Sequence, residues 1–320
     1  MTDYSNRTEV AATAGATPAG AVPEILSHAP KSQWAEAWVQ FRQHRGAMAG
    51  MFTFLAIVFF CMIGPFIWGI DPGELDVRNR FAAPNLDHPM GTMQLGQDVM
   101  AQVMFGGRIS LAVGIVAMVI TLLLGTLIGV LAGFFRPLDG ILMRLTDLFL
   151  ALPVLPLLLV IIMLFREPLS QRFGTEAGIF ILMVTVIGIT SWMPVARIVR
   201  GDILALKERE FILAARSIGT PSRRMILRHI LPNVLSPIMV SGTLSIANAI
   251  ITESALSYLG LGFPSDFPTW GKILIDAVQY TERAPWMVIF PGVLISLTVL
   301  SVNYMGDGMR DALDPRIRGR

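Results

Sequence analysis

The hydrophobic pattern divides the chain into long apolar runs joined by polar, charged connections. Six stretches, 51–70, 109–135, 148–165, 177–196, 233–252 and 286–306, contain no Asp, Glu, Lys or Arg. A helix of about 20 apolar residues crosses the hydrocarbon core of a bilayer. The pattern therefore predicts an all-α polytopic membrane protein with six transmembrane helices, the shortest run borrowing flanking residues. Pro65, Pro153, Pro156, Pro194, Pro237 and Pro291 fall inside the runs. In a bundle, neighbouring helices satisfy the backbone groups a proline frees, so kinks are expected there and not helix ends.

The stretch before the first run divides in two. Residues 1–30 are rich in Ala, Thr, Pro and Gly without apolar periodicity and read as a disordered cytoplasmic tail. In 31–50, Trp34, Trp38 and Phe41 recur at helical spacing beside Lys31, Arg42 and Arg45, as expected of a helix in the membrane interface or a solvated helix leading into the first span. The first run starts too late for an ordinary secretory signal and reads as an uncleaved span. Residues 51–320 then form the six-span domain.

Charge sets the orientation. The segments 1–50, 136–147, 197–232 and 307–320 hold 18 of the 25 Lys and Arg, against 7 in 71–108, 166–176 and 253–285. Lys and Arg favour the cytoplasmic side, so both termini are expected inside. The composition, 53% hydrophobic and 15% charged with a mean hydropathy of +0.62, excludes an ordinary soluble domain. A pI near 8.9 invites a nucleic-acid reading, but the net charge is only +2 and the basic residues cluster between apolar runs, which is membrane patterning.

Little in the chain suggests catalysis or metal binding. Cys61 is the single cysteine, inside an apolar run, and the histidines His28, His44, His88 and His229 lie in separate segments. No catalytic motif appears, and no cofactor is called for. The only Gly-Lys pair, Gly271-Lys272, lies outside and is followed by Ile273, so it is no phosphate loop. Glu253, at the end of the fifth run, would serve a proton relay only if it sat deeper than that run places it. Arg144 and Asp147 are spaced to pair along one helix. Gly125, Gly129 and Gly133 form two overlapping Gly-x3-Gly units, favouring close helix packing in the second span.

The loops carry more. The 71–108 connection is acidic, and Leu95, Val99 and Val103 predict a short helix at the outer surface over 95–105. The 197–232 connection is far longer than the roughly 2–8 residues that helix connections in bundles need. Its segment 209–219 reads as a short helix with Phe211, Ala214, Ala215 and Ile218 on one face, where two adjacent alanines let a partner approach the backbone. Gly219 suits a left-handed turn, Thr220 an N-cap and Pro221 a first helical position, opening a second helix that ends at Leu231-Pro232. A DNA-binding role for this helix–turn–helix is disfavoured because the unit is tethered between two spans. A plain solvated connector is the other alternative.

The same residues resemble the EAA loop of bacterial binding-protein-dependent ABC permeases. Ala214, Ala215, Gly219, Leu231 and Pro232 match in register, while Leu213 replaces the glutamate and His229 the isoleucine. The resemblance extends through His88-Pro89-Met90-Gly91-Thr92, Gly106-Gly107-Arg108, Met143-Arg144-Leu145-Thr146-Asp147 and Pro268-Thr269-Trp270-Gly271 to Gly306-Asp307-Gly308-Met309-Arg310-Asp311-Ala312-Leu313-Asp314-Pro315. These place it with the dipeptide/oligopeptide/nickel branch, in its second-permease type. Met93 and Gln97 depart from the charged residues expected there.

The resemblance implies a type I ABC importer permease in the bacterial cytoplasmic (inner) membrane. Its partners would be a second permease, two ATPase subunits that hydrolyse ATP, an extracytoplasmic binding protein and membrane lipid. Peptide import is the function it implies, with nickel, glutathione-like compounds or oligosaccharides as alternative cargo. An autonomous secondary transporter would need charged groups at the midplane, which the six runs lack. A membrane enzyme is the remaining class.

Overall fold

A computed structural model describes residues 33–264 and 267–313, so the expected 1–30 tail and Asp314-Pro315 lie outside the described residues. The chain runs through α1 (Gln33–Gln43), α2 (Arg45–Trp68), α3 (Val99–Phe134), α4 (Arg136–Ala151), α5 (Val154–Phe173), α6 (Thr175–Thr190) and α7 (Trp192–Lys207). It continues through α8 (Glu210–Ser217), α9 (Ser222–Arg224), a π-helical stretch (Met225–Ile230), α10 (Leu231–Tyr258), α11 (Trp270–Val278) and α12 (Trp286–Leu313). Among the described residues there is no strand, only one isolated bridge between Thr92 and Asp98.

Among the described residues five helices are long and apolar enough to span a membrane: α2, α3, α5, the continuous Ser222–Tyr258 and α12. The pair α6 and α7, bent by 40° at Ser191, meets the same length and composition when counted as one broken span, the sixth. Close approaches fix the alternation of direction. Gly107 of α3 meets Cys61 of α2, Gly114 meets Ile250 of α10, and Gly308 of α12 meets Ala47 of α2. Thus α2 begins, and α3, α7 and α12 end, at one end of the bundle, together with α8; this is called the basic end. The turns around Thr92, Trp270 and Trp286 form the far end.

α3 is the central helix. Its 36 residues pack against α2, α6, α7 and α10. Toward the far end, Trp270 is fully buried with Val99, Val103 and Leu111, and its indole Nε1 donates to the Val103 carbonyl at 2.9 Å. Residues 99–105 therefore form the first turns of the second span and not a separate surface helix. Asp98 caps this helix by accepting from the Ala101 N–H at 2.7 Å, and α11 covers the turns that follow.

Two further expectations change at prolines. Pro153 ends a helix where a kink was expected: Leu152 before it is extended, as the proline ring demands, so the 148–165 run is divided between α4 and α5. Pro232 does not end the second helix of the loop. Leu231 N–H bonds to Ile226 O in a widened π turn, which accommodates the proline that follows and lets the helix continue into the fifth span. Pro65, Pro237 and Pro291 lie inside α2, α10 and α12.

The backbone around Pro65 has a specific partner. Proline has no N–H for the carbonyl four residues back, Cys61 O. Arg108 of α3 supplies the donor, its Nε at 2.9 Å from Cys61 O and its Nη2 at 2.7 Å from Met62 O, with Phe66 and Phe105 beside the guanidinium. The guanidinium is thereby consumed by backbone carbonyls of α2. Arg108→Met should cost about 1–3 kcal/mol, the desolvation of an orphaned carbonyl, and lower the thermal midpoint of the detergent-solubilised protein. An unchanged midpoint would assign Arg108 elsewhere.

The helix expected over 31–50 is two elements. α1 stops at Gln43, and His44 opens α2, its Nδ1 accepting from Ala47 N–H at 2.9 Å. Phe41 is buried against Ala47 and Ala312, whereas Trp38 stacks on Phe41 and stays exposed. The side chain of Trp34 lies outside the described residues.

Candidate functional site

The long basic connection begins as a continuation of α7. Lys207 Nζ donates to the carbonyls of Gly133 and Phe134, both at 3.1 Å, so the end of α7 is tied to the end of α3. This is cationic capping of a helix C-terminus. Upstream, Gly125, Gly129 and Gly133 face Val195, Ala196, Val199 and Ile203 of α7 so closely that a Cβ on Gly129 would stand 2.7 Å from Ala196 O and 2.8 Å from Val199 Cβ. The glycine stripe thus packs α3 onto α7 within this chain.

α4 lies antiparallel along α7. Arg200 grips Asp139 through both carboxylate oxygens, Arg197 pairs with Asp147, and Phe149 meets Trp192 edge-on at 6.2 Å. The hydrogen bond from Arg200 holds the Asp139 carboxyl below its ordinary pKa. Arg144 and Asp147, spaced to pair with each other, do not: Asp147 is taken by α7.

α8 follows after Arg209. Apolar residues occur nearly all round this short helix, and the structure orients them. Ile212 and Ala215 are buried with Ile203, Met225, Ile230 and Val234 of the same chain. Phe211 (47% exposed), Ala214 and Ile218 (83% exposed) face outward, as does Leu213. The face expected to hold Phe211, Ala214, Ala215 and Ile218 together is therefore split, with Ala215 turned into the loop's own core. An Ala there lets α8 lie close on the turns that carry Met225 and Ile230.

Gly219 closes the helix at φ +75°, and no atom lies within 4 Å of the Cβ it lacks, so its requirement is conformational and not steric. Thr220 N–H returns to Ala215 O at 3.2 Å. The next helix starts one residue later than expected: Pro221 is itself the flanking residue, with no side-chain cap. Leu231 is half-buried against the loop core and Pro232 is exposed. A cleft of about 920 Å³ opens beside α8, lined by Asp202, Glu208, Glu210, Phe211, Asn233 and Leu313 among others.

Two far-end features were underrated from sequence. Glu253 lies inside α10, fully buried, accepting from Ser110 Oγ at 3.0 Å and Ser257 Oγ at 2.7 Å. Its hydrogen-bond partners are hydroxyls, so it ties α3 to α10 without handing on to another titratable group. Asp98 accepts from Trp68 Nε1 and lies 2.7 Å from His88 Nδ1, fastening the outer loop to the tops of α2 and α3. The scattered Ser and Thr positions gave no sign of the first. His88, ten residues from Asp98, was visible but unpartnered in the pattern.

Comparison with known proteins agrees with this architecture. Residues 125–319 match the family model described as "Binding-protein-dependent transport system inner membrane component", and 32–84 match "N-terminal TM domain of oligopeptide transport permease C". The chain is 36% identical over 303 residues to the dipeptide transport system permease protein DppC of Alkalihalophilus pseudofirmus, covering 92% of this chain and 96% of the relative. It is 36% identical over 296 residues to the oligopeptide transport system permease protein OppC of Bacillus subtilis, covering 92% and 93%. Among solved structures, an inward-facing MetNI methionine ABC transporter chain superimposes with a TM-score of 0.52 at 20% identity, over 67% of this chain and 97% of that one.

Proposed function

The chain belongs to the family of binding-protein-dependent transport system inner membrane components, and we propose that it is one permease of an ATP-driven peptide importer that receives its energy through α8. The carrying observation is the exposed apolar face of Phe211, Ala214 and Ile218, projecting at the basic end on a helix rooted in the chain's own core. In water such a face is costly, which favours a protein partner there.

In this reading two ATPase subunits engage the basic loops of this chain and of a second, related permease, and an extracytoplasmic binding protein delivers di- or oligopeptides to the far end. Both termini lie in the cytoplasm, as the distribution of Lys and Arg favours. Force on α8 passes through its buried side, Ile212 and Ala215, to the turns of Met225 and Ile230, and through Lys207 to α3. Such an interface has two packed arrangements and not a continuum, so ATP-driven closure of the partners would switch the bundle between them.

The test is genetic and topological. Cells lacking the chain should lose binding-protein-dependent uptake of short peptides. Reporter fusions after Asp87 and at Trp270 should read outside, and those after Ser222 and Arg318 cytoplasmic. Retained peptide uptake in the deletion strain, or a cytoplasmic signal at Trp270, would overturn the reading.

A further inference from the structure

The cleft beside α8 concentrates negative charge. Its α7–α8 side supplies Asp202, Glu208 and Glu210 against the single guanidinium of Arg209, whereas the residues that α10 contributes, Ser236 among them, are uncharged. None of the three carboxylates forms an ion pair with a described residue. A cleft lined by one sign of charge draws in the opposite sign, so this one favours a cationic occupant. At about 920 Å³ it lies near the top of the roughly 300–1,000 Å³ range of ligand pockets, room for several residues of extended chain.

Where α12 stops points to the occupant. Leu313, the last residue of α12, lines the cleft, so the chain that follows starts at its rim. That chain, Asp314-Pro315-Arg316-Ile317-Arg318-Gly319-Arg320, lies outside the described residues and carries three arginines against one carboxylate. At about 3.3–3.6 Å per residue, seven residues reach roughly 23–25 Å. In an extended chain alternate side chains point to opposite sides, which puts Arg316, Arg318 and Arg320 on one side and Ile317 on the other. One charged and one uncharged side of the cleft match that alternation. Attachment at the rim matters because single exposed ion pairs are weak. A short tether makes binding intramolecular, at an effective concentration on the order of millimolar.

We propose that residues 314–320 dock in this cleft, with their arginines on Asp202, Glu208 and Glu210 and Ile317 toward α10. The inference goes beyond the proposed function and stands without it, because both halves of the contact belong to this chain. Docked, the segment straps the end of α12 to the start of α8. Movement of α8 is then passed to α12 as well as through Lys207 to α3.

The experiment uses the full chain in membranes, with its partners, carrying Ile317→Cys and Ser236→Cys; the native Cys61 is buried elsewhere. Mild oxidation should link positions 317 and 236, read by mass spectrometry of the digested chain. Pairing Ile317→Cys with Ser222→Cys, exposed and outside the cleft lining, should give at least tenfold less product. Arg316→Glu with Arg318→Glu leaves the cleft intact and should lower the 317–236 yield tenfold or more. Adding Glu208→Arg and Glu210→Arg to that chain should restore it. Absence of the 317–236 link, equal yields at 236 and 222, a yield unmoved by R316E/R318E, or an adduct of position 317 with another chain would each overturn the inference.

Discussion

Replacing Ala215 with aspartate is expected to collapse the basic loop from within. Ala215 is buried against the chain's own Met225, Ile230 and Ile212, so the substitution buries a carboxylate with no cation in that cluster. An unpaired charge or unsatisfied polar group there costs several kcal/mol, and the side chain also overfills a site sized for a methyl group, at about 1–3 kcal/mol more. The loop should become protease-sensitive at Arg216 and Arg223, and ATPase recovery should fall with it. Insertion of the six spans should survive, because Met225 and Ile230 lie at the basic end of the Ser222–Tyr258 helix, ahead of its charge-free run 233–252. Resistance of the A215D loop to trypsin, at the level of the unmodified chain, would contradict its buried placement.

Replacing Gly129 with leucine should have the second large effect, in the middle of the bundle. A Cβ there would stand 2.7 Å from a backbone carbonyl of α7 and 2.8 Å from Val199 Cβ, and neither can yield as a flexible side-chain tip could. α3 and α7 would have to separate along the stripe that Gly125 and Gly133 continue. Overpacking of this kind typically costs about 1–3 kcal/mol. G129A should already lower the thermal midpoint, and G129L should lower it much further and loosen Lys207 from the end of α3. Gly140 is a control, since nothing lies within 4 Å of its missing Cβ. Equal midpoints for G129L and G140L would contradict the packing.

How far the sequence predicted these features depends on what kind of pattern carries them. Charge-free length marks a candidate span wherever it occurs, so five of the runs lead to helices long and apolar enough to cross and the 177–196 run to the bent pair of α6 and α7, while the 148–165 run is split between α4 and α5. Breaks inside runs were not legible. Pro65 and Pro153 look alike in sequence, but Arg108 supplies a donor at the first, whereas the chain turns extended before the second. Arg108 comes from another helix, so tertiary contact decides the outcome. α8 failed differently: with Phe211, Ile212, Leu213, Ala214, Ala215 and Ile218 around eight to nine positions, no apolar stripe is unique, and only the neighbouring Met225 and Ile230 select Ile212 and Ala215 as the inner side. Gly219 was legible because its requirement is local, a positive φ at a helix end.

The central claim is that energy reaches this chain through the outward face of α8, and Ile218 tests it best. It is 83% exposed and makes no contribution to the loop core, so Ile218→Asp should leave the thermal midpoint and the pairing with the second permease unchanged. Each 1.4 kcal/mol lost at an interface is about tenfold in affinity. The measurement is ATP hydrolysis by the reconstituted complex with peptide-loaded binding protein, alongside recovery of the ATPase subunits. Tenfold or greater loss of stimulated hydrolysis in I218D, with stability intact, is the predicted result. Full stimulation and full peptide transport by I218D together with F211D would contradict the account and leave the loop a solvated connector.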